Sequence, residues 1–266
     1  MTEALAGGGR LAGRVAVVTG AGIPEGVGIG AASAILFARE GAAVVVVERD
    51  VEAAARTIQE IEGEGGTATA VTADVSREDD VRRAIDETLS RFGRLDVLQN
   101  TVGVVRPGGL ADSTLDDVMT IYGINLGGAF LTCRAVLPHM RERGRGAIVN
   151  VSSIASTRTT GSLSLPYATS KAALEQLTRI VAREGSDAGI RCNAVIPGSL
   201  DTPAARRAVA DDEAYRRSVA QRSADVPLAR LGVASEVAEA CLFLASDAAS
   251  YITGAMLPVD GGLSLL

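Results

Sequence analysis

Short runs of β-branched and apolar residues alternate with stretches of helical length along nearly the whole chain. This alternation limits the fold more than any other feature. Strand-like runs fall at 15–19, 44–47, 69–73, 96–100, 147–151, 191–195 and 256–259. The spacing between them predicts helices over 31–40, 52–62, 78–91, 115–143, 167–186 and 235–246, with a charged helical segment over 203–222. The run at 44–47 is valine throughout, with no polar alternation, which suits a strand covered on both faces. Strands separated by helices need right-handed crossovers, and these produce a parallel sheet with helices on both sides. The expected fold is a doubly wound α/β domain of about seven strands.

The 266 residues suit one such domain, able to bury roughly three quarters of its unfolded surface. No linker, repeat or low-complexity tract divides it, so residues 11–266 read as a single unit behind a frayed tail over 1–10. Hydrophobic residues at 47% and charged residues at 22% exclude disorder as the dominant state. A net charge of −6 argues against a nucleic-acid binder, which needs a clustered basic surface, and 3% aromatics without tryptophan argue against base stacking. Cys133, Cys192 and Cys241 lie in apolar stretches at wide spacing, as buried thiols rather than a disulfide framework or a zinc site. His139, the one histidine, has no partner in its surroundings, so neither a metal site nor a histidine mechanism is expected. The N-terminal residues carry an early acid and no apolar core, unlike a signal peptide, and no apolar run reaches the roughly 20 residues of a membrane helix. A soluble cytoplasmic protein is expected.

Ligands of doubly wound sheets bind at the carboxyl ends of the strands. Strand 15–19 runs there into Gly20-Ala21-Gly22-Ile23-Pro24-Glu25-Gly26-Val27-Gly28-Ile29-Gly30, directly before a helix. Glycines at that point allow a tight turn and let backbone amides approach a pyrophosphate at the positive helix N-terminus. Glu48 ends the second strand, where a carboxylate accepts hydrogen bonds from ribose hydroxyls and repels a 2′-phosphate. No Lys or Arg lies between Thr19 and Gly30 to receive such a phosphate. NAD is therefore expected over NADP, with the adjacent Arg49 keeping NADP as the alternative.

A second group of chemically active residues follows the strand at 147–151. Ser152 and Ser153 come directly after it, and Tyr167-Ala168-Thr169-Ser170-Lys171 opens the next helix. Tyr167 and Lys171, four apart, share a helical face. An ammonium near a phenol stabilises the phenolate. Bringing a tyrosine from about 10 to near 7 takes ~4 kcal/mol, which the positive charge of an oxidised nicotinamide would share. A serine hydroxyl beside it orients the substrate oxygen.

With these motifs in order, the chain resembles the short-chain dehydrogenase/reductase family, in its TGxxxGxG/YxxxK branch, from about Leu11 to Leu263. The resemblance implies a Rossmann-type fold and an NAD(P)-dependent oxidoreductase that interconverts a secondary alcohol and a ketone. It makes Tyr167 the general acid/base, Lys171 the residue that lowers its pKa and binds the nicotinamide ribose, and Ser153 the group polarising the substrate oxygen. Asn125 would hold a proton-relay water. Hydride would pass between the substrate carbon and nicotinamide C4. Cofactor contacts carried over are Gly20, Gly28, Ile29, Glu48, Asp74 with its neighbour Val75, Asn100, Gly103, Tyr167, Lys171, Pro197, Gly198 and Thr202. Family relatives are homotetramers or homodimers, and the apolar stretch 126–137 and the C-terminal end fit that assembly.

The chain also departs from the pattern. Seven residues separate Gly20 from Gly28 where TGxxxGxG has three, an insertion holding Pro24 and Glu25. Thr101 replaces a second asparagine after Asn100, and Ser153 precedes Tyr167 by 14 residues, one more than is usual in the family. Enoyl reductases with long glycine loops have a wider Tyr–Lys spacing and lack this serine, which favours a carbonyl or alcohol substrate over an alkene. The alternatives are a 3-oxoacyl thioester reductase of the same family and a catalytically silent dinucleotide-binding regulator. Arginines at 206, 207, 216, 217 and 222 read as a solvated face of a flap over the substrate, or as one contact to an anionic substrate.

Overall fold

A computed structural model describes residues 8–159, 164–207 and 211–266. Seven parallel strands form one sheet in the order β3-β2-β1-β4-β5-β6-β9. They are β1 (Val15–Thr19), β2 (Ala43–Glu48), β3 (Thr67–Thr72), β4 (Val97–Asn100), β5 (Gly146–Val151), β6 (Ile190–Pro197) and β9 (Met256–Val259). The sheet is mostly built of β-branched residues whose two faces are both covered. Val44 and Val46 of β2 enter a core with Phe37 and Ala38 of α1 (Ile29–Arg39), Ile61 of α2 (Val51–Gly63) and Leu242 of α9 (Ala234–Ala245). Val45 and Val47 enter the opposite core with Ile85 of α3 (Glu78–Phe92), Val136 of α5 (Gly128–Arg143) and Val181 of α6 (Leu165–Gly185). Each fully buried valine contributes about 1.5 kcal/mol or more of transfer free energy, which explains why no face of β2 can be polar.

Strand order reverses between β1 and β4, so their carboxyl ends diverge into a crevice. The register aligns Thr19 with Asn100, Asn100 with Asn150, and Val151 with Val195, setting these ends side by side.

Several elements differ from the sequence expectation. The stretch expected as one helix over 115–143 is α4 (Leu115–Tyr122), a π-helical turn at Gly123–Gly127, then α5. Such wider turns collect at functional sites, and this one holds buried Asn125. Taken as one span, Leu115–Arg143 is long and apolar enough to cross a membrane, contrary to the expectation that no run qualifies. Its inner residues Cys133, Val136 and Met140 are instead packed in the core beneath the sheet. The charged segment divides into α7 (Pro203–Arg207) and α8 (Asp212–Ala224), because the Asp211 carboxylate accepts the Ala214 amide at 2.7 Å and starts a new helix. A small sheet of β7 (Leu200–Asp201) and β8 (Gly232–Val233) was not anticipated. At the N-terminus the chain is docked before residue 11: Arg10 donates to the Glu40 carboxylate and to Glu239 at 3.0 Å. The sequence predicts small and aliphatic residues over 163–165 and 199–200 on the pocket side of the flap; of these, Leu163 lies outside the described residues. All three cysteines are buried and unpaired.

Candidate active site

A cleft of about 640 Å³ opens at the carboxyl ends of β1, β4, β5 and β6, within the size range of small-molecule and cofactor sites. The glycine-rich loop walls one side, Glu48 and Arg49 close one end, and Tyr167 and Lys171 stand in it together with Pro197, Gly198 and Thr202. Close approach leaves little room for a side chain at several glycines of this wall. Gly20 adopts φ +65°, and a Cβ there would lie 3.0 Å from Val102. At Gly30 a Cβ would sit 2.2 Å from the Gly20 carbonyl oxygen. At Gly103 it would come within 3.1 Å of the Lys171 Nζ. Gly28 is different: a Cβ would meet nothing within 4 Å, and no side chain caps the N-terminus of α1 that it starts. Open space over uncapped helical amides is suited to an anionic group.

The Glu48 carboxylate is held by the loop and by α2. Its Oε1 accepts the Arg49 amide at 2.8 Å and the Asp50 amide at 3.3 Å, and its Oε2 accepts the Gly22 amide at 3.3 Å. Asp50 in turn caps α2 through the Ala53 amide at 3.0 Å, so the turn after β2 is rigid. These residues fit a nicotinamide dinucleotide: a glycine cradle for the diphosphate, with a carboxylate at one end and a tyrosine–lysine pair at the other.

Adjacent serines after β5 take different roles because an extended chain alternates its side chains. Ser152 is buried, and its Oγ donates to Glu175 at 3.0 Å and to the Lys171 carbonyl at 3.3 Å. Ser152 reaches the cleft wall, but its hydroxyl is engaged behind it. Ser153 is the serine whose hydroxyl interacts with the Tyr167 phenol. Burial pushes the phenol above its ordinary value, and the Ser153 hydroxyl opposes that rise. Lys171 is 2% exposed; its ammonium donates to the Val151 carbonyl at 2.8 Å and lies 5.8 Å from the Tyr167 ring centre. Burial lowers the Lys171 pKa to about 8. In the protein alone, burial thus raises the phenol, opposed by Ser153 rather than lowered by the lysine as expected. Ser153→Ala is expected to lower kcat/KM by about 100-fold with Tm unchanged. Ser152→Ala removes the donor to buried Glu175, and is expected to cost about 1–3 kcal/mol in urea unfolding while retaining activity.

Asn125 sits in the π-helical turn, 1% exposed. Its Oδ1 accepts the Val104 amide at 2.8 Å, and its Nδ2 donates to the Val104 carbonyl and to Ser170 Oγ, both at 3.0 Å. The side chain therefore fastens the loop after β4 to α6, close to the point where Gly103 faces Lys171. Asn100 is turned into the interior: its Oδ1 accepts from Thr132, and its Nδ2 donates to Asn150 Oδ1 at 2.9 Å, which continues to Thr178. Asp74 and Val75 stand beyond the cleft wall. The Asp74 Oδ1 accepts from the Ser76 hydroxyl and amide, which hold its carboxyl below the usual range, and Val75 packs against Gly128. Thr101, where an asparagine was expected, donates its amide to Thr19 Oγ1 at 3.2 Å and receives Gln99 Nε2 at 3.0 Å. Sequence reasoning missed Val104 as a site-forming residue, and nothing local marked it, whereas Gly22, named in the glycine-rich run, donates its amide to Glu48.

A family model described as enoyl-(acyl carrier protein) reductase matches residues 22–264. The chain is 36% identical over 257 residues to 2,5-dichloro-2,5-cyclohexadiene-1,4-diol dehydrogenase of Sphingobium indicum, covering 96% of this chain and 98% of that one. It is 36% identical to 3-oxoacyl-[acyl-carrier-protein] reductase of Thermotoga maritima over 258 residues, 96% and 99% of the two chains. A crystal structure of a protein assigned to the short-chain dehydrogenases/reductases, from Burkholderia xenovorans, superposes with a TM-score of 0.93 at 40% identity, covering 97% and 99%. On the strength of these near-full-length matches and of the site they share a frame with, the chain belongs to the short-chain dehydrogenase/reductase family and is an NAD(P)-using oxidoreductase.

Proposed function

We propose that the protein interconverts a secondary alcohol and the corresponding ketone, with NAD as the preferred nucleotide and Tyr167 as the general acid/base. The observation that carries this reading is the convergence of Ser153 and Lys171 on Tyr167 in a cleft whose far end holds Glu48. The cofactor, when bound, supplies the hydride acceptor or donor and, in its oxidised form, a positive charge near the phenol. Tyr167 exchanges the proton with the substrate oxygen, and Ser153 holds that oxygen by a hydrogen bond. Lys171, kept by the Val151 carbonyl, places its ammonium beside the tyrosine and within reach of a ribose hydroxyl. Asn125 positions both by pinning Val104 and Ser170.

The dehydrogenase relative acts on a diol, and the four-residue step from Tyr167 to Lys171 with a serine before it supports carbonyl chemistry over alkene reduction. The similarity to the Thermotoga maritima enzyme supports a second reading, reduction of a 3-oxoacyl thioester. Exposed Leu115, Met119 and Phe130 on α4 and α5, with Leu265 and Leu266 at the C-terminus, support a homotetramer or homodimer. Absorbance at the reduced nicotinamide band, followed over secondary alcohols, sugars, hydroxysteroids and 3-oxoacyl thioesters, tests the class. Cofactor binding without turnover anywhere in the panel would favour a regulator instead. With the best substrate, kcat/KM is expected to be at least about 10-fold higher with NAD than with NADP, because the Glu48 carboxylate repels a 2′-phosphate. Higher efficiency with NADP would refute the role given to Glu48.

A further inference from the structure

The insertion in the glycine-rich loop reaches across the cleft. At Gly26, a Cβ would lie 2.8 Å from Pro203 Cγ, so loop and α7 are in close apposition. One residue earlier, Glu25 Oε2 faces Arg207 Nη1 at 3.6 Å. The loop side of this crossing is braced from below: the Ile23 amide donates to the Ala53 carbonyl at 3.0 Å, and the Arg56 guanidinium donates to the carbonyls of Ile23 and Pro24. Pro24, Gly26, Pro203 and Arg207 all line the same cleft as Gly20 and Gly28. The inserted residues therefore form part of a roof over the space where the glycine amides point.

Backbone amides alone can take an anion in that space, and a cation facing it would add a charge the loop itself does not provide. Between Thr19 and Gly30 there is no Lys or Arg, whereas a pyrophosphate brings about two negative charges. Four cations line the cleft among the described residues: Arg49, Lys171, Arg207 and Arg222. Lys171 is committed to the Val151 carbonyl beside Tyr167, and Arg222 donates to the Leu200 carbonyl at 2.8 Å. Arg49 follows Glu48, at the end of the cleft away from Tyr167. Arg207 alone faces the inserted loop from the opposite side. Its contact with Glu25 is longer than a hydrogen bond, and the two side chains keep 47% and 69% of their exposure, so the pair is weak. A guanidinium makes shorter, paired, charge-assisted hydrogen bonds to phosphate oxygens. A diphosphate placed under the loop would thus outcompete Glu25 for Arg207.

We propose that Arg207 is a ligand of the cofactor's diphosphate, held across the cleft mouth by Glu25 and transferred from it on binding, so that the lengthened glycine loop and α7 close as a clasp. The proposal rests on the nicotinamide-cofactor reading above. It gives the insertion a purpose, and assigns to Glu25 the part of a competitor that keeps the guanidinium near its target.

The test is calorimetric titration of the full-length protein with ADP-ribose, which carries the diphosphate but no nicotinamide. The variants are Arg207→Gln and Glu25→Gln, with the Tm of each unliganded variant as the folding control. For Arg207→Gln the Kd is expected to rise about 10-fold, equivalent to about 1.4 kcal/mol. For Glu25→Gln it is expected to equal that of the unmutated protein or to fall up to about threefold, since the competitor is gone. A merely structural pair would weaken binding in both variants alike, and that result overturns the proposal. So does an Arg207→Gln Kd within twofold of the unmutated protein's. If the unmutated protein binds neither ADP-ribose nor NADH, the cofactor reading itself fails and takes the clasp with it. Binding by the unmutated protein without the Arg207 effect removes the clasp alone.

Discussion

Tyr167→Phe is expected to lower kcat by at least about 1,000-fold in both directions, with the Kd for NADH changed by less than about threefold. The substitution deletes one oxygen from a ring that keeps its packing, so the cleft, the glycine loop and Lys171 stay in place. What is lost is the phenolic hydroxyl, which interacts with the Ser153 hydroxyl and stands near the buried ammonium. The remaining groups do not substitute for it: the Lys171 ammonium is occupied by the Val151 carbonyl, and the Ser152 hydroxyl is bonded to Glu175. Single-turnover absorbance with saturating nucleotide, paired with NADH fluorescence titration, separates chemistry from binding. Turnover within about 10-fold of the unmutated protein would refute the acid/base role of Tyr167.

Two glycine substitutions, Gly30→Ala and Gly28→Ala, are expected to fail differently. At Gly30 the added methyl falls 2.2 Å from the Gly20 carbonyl oxygen. The position of a Cβ is set by the backbone and the oxygen it meets is main chain, so no rotamer relieves the clash and the turn from β1 into α1 must move. A loss of about 3 kcal/mol in urea unfolding is expected, at the upper end of overpacking costs, together with loss of NADH binding. At Gly28 the methyl meets no protein atom within 4 Å, and the backbone, at φ −88°, accepts alanine without strain. Its stability change is expected to stay within about 0.5 kcal/mol, while the Kd for NADH rises about 10-fold, because the methyl occupies the open space above the helix N-terminus. Equal stability of the two variants would contradict the steric account. Unchanged NADH affinity in Gly28→Ala would contradict the placement of the diphosphate.

The architecture was legible because its determinants are local. Valine runs without alternation at 44–47, helices of amphipathic length between strands, and glycines directly after β1 each carry their meaning within a dozen residues. The bounds of β1 and β9 agree with the expectation at both ends. Where the expectation differed, the cause was a contact made elsewhere in the chain or a subtle backbone choice. The π-helical turn interrupts a stretch whose apolar pattern is continuous, so nothing in that pattern marks it. Asn100 matches a motif position, yet its amide is drawn into a buried line with Thr132, Asn150 and Thr178 by the cross-strand register.

Sequence alone determined the parallel doubly wound sheet, the end of it that carries the site, and the tyrosine–lysine pair, because hydrophobic periodicity and i,i+4 spacing are written within single elements. Tertiary structure decided which of two neighbouring serines meets Tyr167, that the Asn125 side chain grips Val104, and that the inserted loop faces α7. Those outcomes depend on which way a side chain leaves an extended backbone, and on contacts such as Glu25 with Arg207. Residues so far apart in the chain meet only after the sheet has been wound and both of its faces covered.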